Sequence, residues 1–430
     1  MSWAYRILFP LLLIPALPYY AWRMLRRGGY GSGFTQRLGF FRQLGPKTQG
    51  KRRFWIQAVS VGEIEAIGPL LRQLKSAGAA EIILTTTTST GFRLAQERHA
   101  DVADHIGIFP ADLWPCSALA WRRIRPDAVI LVEGELWPEH LAQARARRVP
   151  AYLINGRISD KSFARHLRFR KLSAHVLGHF QQIAASSEED VRRFRELGFT
   201  ATLTGNIKFD VASDAPISAD ERQRLRADLG FGNDPRTVVV LGSSTWKGEE
   251  TLLVRVVRDL RNAGRDVRLL LVPRHSERRA EVAAEASASG LSWHQRSTGG
   301  AVAPADTIIH LADTTGELRR LTRAADLAFC GKSLAPHEGG QTPVECAAAG
   351  IAIVYGARMS NFRDICRGLE RAKAALKAAD AHELTSLLSR LVQDGDERTE
   401  MGRCGAAWHQ GNRGATERTL ALLRDDQSIR

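Results

Sequence analysis

The sequence predicts an α/β protein of two Rossmann-like domains with a central cleft, preceded by an N-terminal membrane anchor. From residue 54 onward, short apolar runs alternate with stretches of helical period, which is typical of parallel sheets covered by helices. This alternation pauses across the polar residues 211–236 and then starts again, which indicates a second domain. An apolar run near the start of the chain, followed by cations, predicts the anchor.

The pattern divides the 430 residues into four parts. They are a membrane anchor and basic neck at residues 1–50, an N-terminal domain at 51–211, a linker at 212–235 and a C-terminal domain at 236–430. Each domain is long enough to bury a hydrophobic core of its own.

Apolar runs predict five strands in each domain. In the N-terminal domain they are Phe54–Ser60, Glu81–Thr88, Asp127–Trp137, Ala151–Asn155 and Gln182–Ser187. In the C-terminal domain they are Thr237–Gly242, Arg268–Pro273, Thr307–Leu311, Asp326–Gly331 and Ile351–Gly356. Amphipathic stretches between most of them predict the covering helices.

The predicted anchor is the apolar run at residues 7–22, which ends in aromatic side chains suited to a bilayer interface. No acidic residue precedes Glu63, and the cations before it are Arg6, Arg23, Arg26, Arg27, Arg37, Arg42, Lys47, Lys51, Arg52 and Arg53. Because most cations follow the run and no A-x-A site is present, a cleaved signal peptide is disfavoured, and the rest of the chain is expected in the cytoplasm. Three prolines interrupt the run, so shallow anchoring and full crossing both stay open.

Composition favours some classes of partner over others. The net charge of +15 indicates an anionic partner, either a nucleic acid, an acidic membrane surface or a phosphorylated ligand. Nucleic acid is not expected as a partner, since no recognisable motif is present and the apolar anchor argues against it. The five cysteines are scattered and form no C-x-x-C pair, which argues for reduced thiols and against a zinc site or a disulfide framework.

Polar clusters follow the predicted strands, at the edge where ligands of parallel sheets gather. In chain order they are Ser60–Glu63, Glu133–Pro138, Asn155–Ser159, Thr204–Asp210, Gly242–Glu250 and Val272–Arg278. Six such clusters converging on one cleft would be hard to explain as caps and turns alone.

A glycine-rich turn at Gly331–Glu345 follows the predicted strand Asp326–Gly331 and leads into a helix. Glycines let backbone amides approach a ligand closely, and a helix N-terminus offers N–H groups and a positive dipole end to a phosphate. Glu345, one turn into the helix, could accept hydrogen bonds from a ribose diol. The pattern fits a nucleotide-sugar site, and it fits equally a plain β–α connection with an exposed glutamate.

Five motifs occur in order along nearly the whole chain: V-S-V-G-E, E-x-E-L-W-P, T-G-N-x-K-F-D, P-R-H and G-G-x-x-P-x-E. Together they closely resemble the Kdo transferases of lipopolysaccharide assembly, which move 3-deoxy-D-manno-octulosonic acid (Kdo) from CMP-Kdo to the lipid A precursor, lipid IVA. The resemblance implies a glycosyltransferase B fold with an acceptor-binding N-terminal domain and a CMP-sugar-binding C-terminal domain. It also implies an enzyme of the inner membrane, with its catalytic domains on the cytoplasmic face against an anionic membrane surface. No cofactor is implied beyond the donor substrate CMP-Kdo, and the clusters contain no D-x-D motif, which favours metal-independent transfer.

The resemblance assigns catalysis to Glu63, Glu135 and Lys208. Glu63 is implied as the general base that takes a proton from the acceptor hydroxyl while that oxygen attacks the anomeric carbon of Kdo. Its position at a helix start favours the ionised form. Glu135 and Lys208 are implied to stabilise the transition state, and whether Glu135 orients Lys208 or holds an oxocarbenium-like sugar stays open. The structural alternative for Glu63 is a carboxylate that only complements the helix dipole. The alternative for Glu135 and Lys208 is that each is a surface charge or one partner of an ion pair.

The donor CMP-Kdo is implied to bind the C-terminal domain. The implied contacts are Pro273, Arg274, Gly316, Glu317, Leu318, Thr342, Pro343, Val344 and Glu345. By the resemblance, backbone groups at the first pair read cytosine, Arg274 lies near the phosphate and Glu345 binds the ribose.

The sequence departs from the family at three places. The family usually has histidine where Gln57 stands, asparagine where Thr342 stands, and His-Glu where Trp246 and Lys247 stand. These departures leave two alternatives open. One is a related B-fold transferase with a different nucleotide sugar or acceptor, and the other is a non-catalytic glycolipid-binding relative.

Overall fold

A computed structural model of the chain describes residues 3–13, 15, 18, 33–42, 44–78, 80–211, 217–300, 302–314 and 316–425. It forms two compact units, one of residues 1–211 and 413–430 and the other of residues 212–412. Each unit contains one parallel sheet of seven strands.

The strands of the first unit are Arg52–Gln57 (β1), Ala80–Thr86 (β2), His105–Ile108 (β3), Ala128–Val132 (β4), Ala151–Gly156 (β5), Gln182–Ala185 (β6) and Thr202–Leu203 (β7). They lie in the order β3-β2-β1-β4-β5-β6-β7, and every neighbouring pair is parallel. The described helices of this unit are Trp3–Leu13, Phe34–Arg37, Val61–Ala66, Gly68–Ser76, Ser89–His99, Trp114–Ile124, Pro138–Ala146, Asp160–Arg168, Arg170–Leu177, Glu188–Glu196, Lys208–Val211 and Ala415–Asp425.

The strands of the second unit are Val238–Thr245 (β8), Val267–Pro273 (β9), Trp293–Gln295 (β10), Ile309–Leu311 (β11), Leu327–Cys330 (β12), Ala352–Gly356 (β13) and Ala375–Ala378 (β14). Their order is β10-β11-β9-β8-β12-β13-β14, again with parallel pairs throughout. The described helices are Ala219–Asp228, Glu249–Asn262, Arg279–Ala288, Arg296–Gly299, Leu318–Thr322, Val344–Ala348, Arg363–Arg371, Ala381–Gln393, Gly395–Asn412 and the 3₁₀ turns Ser276–Arg278 and Ser360–Phe362.

Both faces of each sheet are buried under helices. In β1, Phe54 and Ile56 pack into the core on one face, while Trp55 packs into the core on the other. In β8, Val240 and Leu241 divide between two faces in the same way. Successive side chains of a strand point to opposite faces, so a strand buried on both faces reads as a continuous apolar run. The predicted α/β fold of two Rossmann-like domains, as in the glycosyltransferase B fold, is confirmed.

The predicted linker is partly a helix of the second unit. Residues 212–216 lie outside the described residues, but Ala219–Asp228 is helical and Leu225 packs in the core of the second unit. Two arginines of this helix, Arg222 and Arg226, pair with the carboxylate of Asp326 at 2.8 and 2.6 Å. The polar composition that suggested a linker is the exposed face of this helix.

The last helix, Ala415–Asp425, departs from the predicted C-terminal domain of residues 236–430, because it packs on the first unit. Its Leu420 and Leu423 are buried in the core beside β1. The carboxylate of Asp210 accepts the backbone N–H groups of Gly414 and Thr416 at 2.7 and 2.6 Å, which caps the helix start. The chain therefore returns to its first unit at its end.

The predicted anchor is described only in part. Arg6 of the helix Trp3–Leu13 donates to both carboxylate oxygens of the buried Glu139 at 2.9 and 3.0 Å, and Tyr5 donates to Asp112 at 2.9 Å. The rest of the anchor and the neck up to residue 32, except residues 15 and 18, lies outside the described residues. Of the helices that the structure describes, none is both long enough and apolar enough to cross a membrane.

Candidate active site

The order of the first sheet places two of the polar clusters side by side. Strand order reverses between β1 and β4, and ligands of open α/β sheets bind at the carboxyl ends of strands where this reversal occurs. Glu63 follows β1, and Glu133 and Glu135 follow β4. The sheet therefore brings two predicted catalytic residues, and a third carboxylate between them in sequence, to one edge.

Glu63 is held by the turn that starts its helix. The helix Val61–Ala66 is capped by Ser60, whose Oγ accepts the N–H of Glu63 at 3.3 Å and donates to Glu63 Oε1 at 2.7 Å. The N–H of Val59 donates to Glu63 Oε2 at 2.8 Å. These bonds use one lone pair on each carboxylate oxygen and fix the orientation of the group. Glu63 is only 6% exposed.

Burial raises the pKa of Glu63 above its ordinary value, and the carboxylate of Glu133 raises it further. The bonds from Val59 and Ser60 and the ammonium of Lys208 lower the pKa but are outweighed. The net direction is opposite to the one expected from the helix start alone, because burial of the carboxyl group disfavours its charged form. A raised pKa makes a carboxylate a stronger base.

Glu133 is the residue that sequence reasoning did not single out. Its backbone is left-handed, with φ of 61°, and its carboxylate contacts Lys208 Nζ at 2.5 Å. Asn155 Nδ2 donates to the same oxygen at 3.4 Å, and Arg157 lies 3.8 Å from the other oxygen. Lys208 is thus paired with Glu133, whereas the sequence had offered Glu135 as its orienting partner. The E-x-E spacing, with glycine between two carboxylates after a strand, is the signal that could have indicated it.

Glu135 lies beside the same group of charges. Burial, and after it the carboxylate of Glu63, raise the pKa of Glu135 to about 7. Glu135 and Glu63 therefore interact electrostatically although they follow different strands. Together with Lys208, the three residues predicted for catalysis lie within one cluster.

A cavity of about 310 Å³ opens beside this cluster within the first unit. Its polar lining includes Glu133, Glu135, Arg157, Ser162, Arg165 and His166, and its apolar lining includes Leu136, Trp137, Leu153, Ile158, Leu177 and Phe194. Such a lining suits a ligand that combines hydroxyl and anionic groups with an apolar part.

The loop that carries Lys208 is fixed at several points. Lys208 begins the short helix Lys208–Val211, which packs against Val61–Ala66 and so brings the lysine toward Glu63. The N–H of Lys208 donates to Asn206 Oδ1 at 3.0 Å, and the N–H of Ile207 donates to Asn155 Oδ1 at 3.2 Å. The last residue of the T-G-N-x-K-F-D motif, Asp210, caps the C-terminal helix and is structural.

In the second unit, strand order reverses between β8 and β12, and the residues predicted to bind CMP follow strands on both sides of that point. Pro273 ends β9 and Arg274 is exposed directly after it. Gly316–Leu318 follow β11, and Thr342–Glu345 lie between β12 and β13. The carboxyl ends of β11, β9, β8 and β12 are contiguous in the sheet, so these predicted contacts share one edge.

Trp246, one of the departures from the family, lies between two of these loops. Its ring is 5.1 Å from that of His275 and 5.4 Å from that of His337, and Lys332 Nζ lies 4.7 Å from its centroid. The fully buried carboxylate of Glu249 accepts the backbone N–H groups of Trp246, Lys332, Ser333 and Leu334 at 2.8–3.4 Å. Glu249, which the sequence did not single out, thus fixes the start of the glycine-rich turn.

The residues predicted to bind the donor differ in whether their side chains already form ion pairs or hydrogen bonds within the protein. The carboxylate of Glu317 is bound by both Nε and Nη2 of Arg296 at 2.7 Å, and this pairing lowers the pKa of Glu317. Thr342 Oγ1 accepts the N–H of Val344 at 3.3 Å, while the N-cap position of this helix is Pro343, which makes no side-chain cap bond. Glu345 is half-buried in the helix Val344–Ala348.

Gln57, another departure from the family, does not reach the surface. Its side chain is fully buried at the end of β1, and Thr85 Oγ1 donates to Gln57 Oε1 at 2.7 Å. Trp55 Nε1 donates to the same threonine at 2.9 Å. Gln57 is therefore part of the buried sheet and is not available as a surface contact.

Comparison with known proteins points in one direction. Residues 32–211 match the family model described as 3-deoxy-D-manno-octulosonic-acid transferase (kdotransferase). The 3-deoxy-D-manno-octulosonic acid transferase of Bordetella pertussis is 33% identical over 424 residues, which cover 96% of each chain. That of Haemophilus influenzae is 31% identical and covers 92% of this chain and 91% of its own. Among solved structures, the crystal structure of UDP-GlcNAc 2-epimerase from Neisseria meningitidis bound to UDP-GlcNAc matches with a TM-score of 0.57 at 10% sequence identity. The match covers 87% of this chain and 100% of that chain, and it shows the fold alone.

Proposed function

This chain belongs to the family of 3-deoxy-D-manno-octulosonic acid (Kdo) transferases, and we propose that it transfers Kdo from CMP-Kdo to the lipid A precursor lipid IVA without a metal. Its family and its class of enzyme, a glycosyltransferase, are those that the sequence motifs predict. The observation that carries the proposal is the cluster of Glu63, Glu133, Glu135 and Lys208 at the reversal point of the first sheet.

In the proposed reaction, Glu63 takes the proton of an acceptor hydroxyl. That oxygen forms a bond to the anomeric carbon of Kdo, the bond from this carbon to the phosphate oxygen breaks, and CMP leaves with the electron pair. Two lone-pair positions of the Glu63 carboxylate are used by Ser60 and Val59, which leaves others for the hydroxyl. Its raised pKa makes it a stronger base than an exposed glutamate.

Lys208 supplies the positive charge in this proposal. Both the carboxylate of Kdo and the phosphate of CMP are anionic, and a preorganised ammonium stabilises negative charge that grows on the leaving phosphate. Glu135 would stabilise a sugar with oxocarbenium character, since its carboxyl lines the cavity beside the cluster.

The second unit is proposed to bind CMP-Kdo. Arg274, exposed after β9, would contact the phosphate, while Glu345 would bind the ribose. Since Glu317 is occupied by Arg296, its contribution, with Gly316 and Leu318, is proposed to be backbone groups. Thr342, Pro343 and Val344 would present the helix start, and Pro273 would present backbone groups to cytosine.

The acceptor and the membrane are proposed to meet the first unit beside its cavity. Phe169, between the helices Asp160–Arg168 and Arg170–Leu177, and Leu172 in the second of them are 52% and 54% exposed, among cations that include Arg165 and Lys171. Cations attract a bisphosphorylated glycolipid and an anionic leaflet, and exposed apolar side chains insert at the interface. We propose that this face lies on the cytoplasmic side of the inner membrane.

The test is a transfer assay with purified full-length protein, CMP-Kdo and tetra-acylated lipid A precursor, in the presence of a chelator, with products resolved by mass spectrometry. Acceptor heavier by one or more Kdo units supports the proposal, and loss of product in Glu63→Gln with CMP binding retained supports the assigned base. Glu65→Gln is the matched control, because Glu65 is exposed on the same helix. No product and no CMP binding would overturn the transferase proposal, and product only when metal is restored would overturn metal independence.

A second candidate is a related transferase with a different nucleotide sugar or acceptor. It rests on Trp246, which lies among the predicted donor loops in contact range of Lys332 and His275. A panel of nucleotide sugars decides between the two, since transfer from another donor at a higher kcat/KM would favour the second. A non-catalytic glycolipid-binding relative would bind CMP or acceptor and give no product with any donor.

A further inference from the structure

Two adjacent strands of the first sheet end with the same left-handed backbone conformation. Glu133 directly follows β4 and Asn155 lies near the end of β5, and both have left-handed backbones, with φ of 61° and 51°. This conformation is uncommon for a residue with a Cβ atom, and asparagine adopts it more readily than glutamate does.

The side chains of these two residues meet. Asn155 Nδ2 donates to Glu133 Oε1 at 3.4 Å, while Asn155 Oδ1 accepts the N–H of Ile207 at 3.2 Å. Asn155 therefore links the carboxylate of Glu133 to the backbone beside Lys208. Asn155 is completely buried, so this link is shielded from water.

The lysine is held at its other end by the same carboxylate. Lys208 Nζ contacts Glu133 Oε1 at 2.5 Å, and the two side chains are 25% and 17% exposed. An ion pair shielded to this extent fixes the orientation of a flexible lysine better than an exposed pair does. The helix Lys208–Val211, which begins at this lysine, packs against the helix Val61–Ala66 that carries Glu63, and this packing brings the ammonium to the side of Glu63.

We propose that Glu133 is a positioning residue for the transfer reaction, in which its carboxylate, set by the left-handed turn and by Asn155, holds the ammonium of Lys208 beside Glu63. This inference rests on the proposed function and deepens it. Glu133 itself transfers no proton and forms no bond to the sugar. Its effect is to preset positive charge where negative charge grows on the leaving phosphate.

The experiment compares Glu133→Gln and Glu133→Asp in the full-length protein. Glu133→Gln is expected to lower kcat about 100-fold, while the KM for CMP-Kdo changes less than about threefold. The reason is that a misplaced Lys208 ammonium weakens the transition state, where negative charge grows on the phosphate, more than it weakens the bound substrate. Glu133→Asp is expected to restore part of kcat, since it keeps the negative charge one methylene shorter. Glu189→Gln is the matched control, because Glu189 also pairs with a cation in the first unit and lies outside the cluster.

A second readout follows Lys208 itself. The rate of acylation of its amine by acetic anhydride, measured by peptide mass spectrometry against the other lysines, is expected to rise about threefold or more in Glu133→Gln, since the flexible side chain is no longer held against a carboxylate and its amine becomes more accessible to the reagent. Circular dichroism and a melting curve show whether each variant is folded.

If wild-type protein transfers Kdo, two results would overturn the positioning role. One is a folded Glu133→Gln with unchanged kcat. The other is a fall in kcat with unchanged acylation of Lys208 and no recovery in Glu133→Asp. If Glu133→Gln does not fold, Glu133→Asp is the test, and unchanged kcat together with unchanged Lys208 acylation in that variant would overturn the role. Wild-type protein that does not transfer Kdo would overturn the proposed function, and this inference with it.

Discussion

The ammonium of Lys208 pairs with Glu133, the guanidinium of Arg157 is 3.8 Å from the same carboxylate, and the carboxylates of Glu63, Glu133 and Glu135 act on one another electrostatically. Bringing three carboxylates together in a partly buried place costs stability, and a fold selected for stability alone would replace them. Groups with perturbed pKa values at a sheet edge are more common in functional sites than elsewhere. At the scale of single residues, this cluster is therefore the strongest argument for catalysis in the first unit.

Replacement of Glu135 is expected to stabilise the protein at high pH. The pKa of Glu135 is raised from 4.5 to about 7, so between these values the folded state binds more protons than the unfolded state does. The stability that comes from this group is fully present below about pH 4 and is lost as the pH rises through 7. Glu135→Gln should raise the free energy of unfolding by about 1–3 kcal/mol at pH 8, and by much less at pH 5.

Urea denaturation of both proteins at the two pH values measures this difference. Glu196→Gln, at an exposed position of the first unit, is the control and should show no such pH dependence. An equal effect of Glu135→Gln at pH 5 and pH 8 would contradict the assignment of the raised pKa to this carboxyl.

A second prediction at this scale concerns Glu249, whose carboxylate accepts four backbone N–H groups. Glu249→Gln replaces one acceptor oxygen by an NH₂ group that faces N–H donors, which costs about 2–3 kcal/mol in a buried site. The turn that begins at Lys332 should loosen, and the affinity for CMP, measured by calorimetry, should fall about tenfold. Glu400→Gln, at an exposed position of the same unit, is the control, and equal CMP affinity in all three proteins would contradict the role of this turn.

At the scale of elements, the sequence predicted the inner strands of both sheets and missed the outer ones. Strands β1, β4, β8 and β12 are buried on both faces and read as apolar runs. The edge strands β3, β7, β10 and β14 have two to four residues, and β7 is exposed throughout. Short, partly exposed strands carry too few apolar residues to show a pattern.

The site shows a similar limit. Glu63, Glu135 and Lys208 could be found from motifs, because each lies next to a strand end or a recognisable turn. The pairing of Lys208 with Glu133 could not, because it depends on left-handed backbones at Glu133 and Asn155 that tertiary contacts impose. No local sequence rule predicts φ above zero at a glutamate.

The C-terminal helix Ala415–Asp425 is expected to depend on Asp210. Asp210→Ala removes the carboxylate that accepts the N–H groups of Gly414 and Thr416, and loss of such a cap costs about 1–2 kcal/mol. Because Asp210 follows Lys208 by two residues, kcat should fall as well. Hydrogen exchange should become faster in residues 204–211 and 415–425.

The matched control is Asp380→Ala in the second unit. Asp380 caps the helix Ala381–Gln393 by accepting the N–H of Glu383 at 2.9 Å, so its loss has a similar local cost. Faster exchange in residues 204–211 for both variants would show that the effect of Asp210→Ala is general, and would contradict a specific link to the Lys208 loop.

At the scale of the whole molecule, the order of the chain does not match the order of its units. The first unit consists of residues 1–211 and 413–430, with the whole second unit inserted between these parts. Ala415, Leu420 and Leu423 fill the core beside β1, and Arg418 Nε donates to the carbonyl of Thr204 at 2.8 Å. An amphipathic pattern predicts that a helix has a buried face, but it does not say which unit buries it.

This arrangement predicts that residues 1–211 alone are an incomplete unit. Without the last helix they would expose the surface that buries Leu420 and Leu423, each worth about 1.5–3 kcal/mol. A fragment of residues 1–211 should therefore be less stable than the intact first unit, and a synthetic peptide of residues 413–430 should bind it and raise its melting temperature. The same peptide with Leu420→Asp and Leu423→Asp should not bind, because charges would be buried without partners. A fragment that melts at the same temperature with and without the native peptide would mean that the C-terminal helix is dispensable for the first unit, and that the contacts of Asp210 and Arg418 do not hold the Lys208 loop.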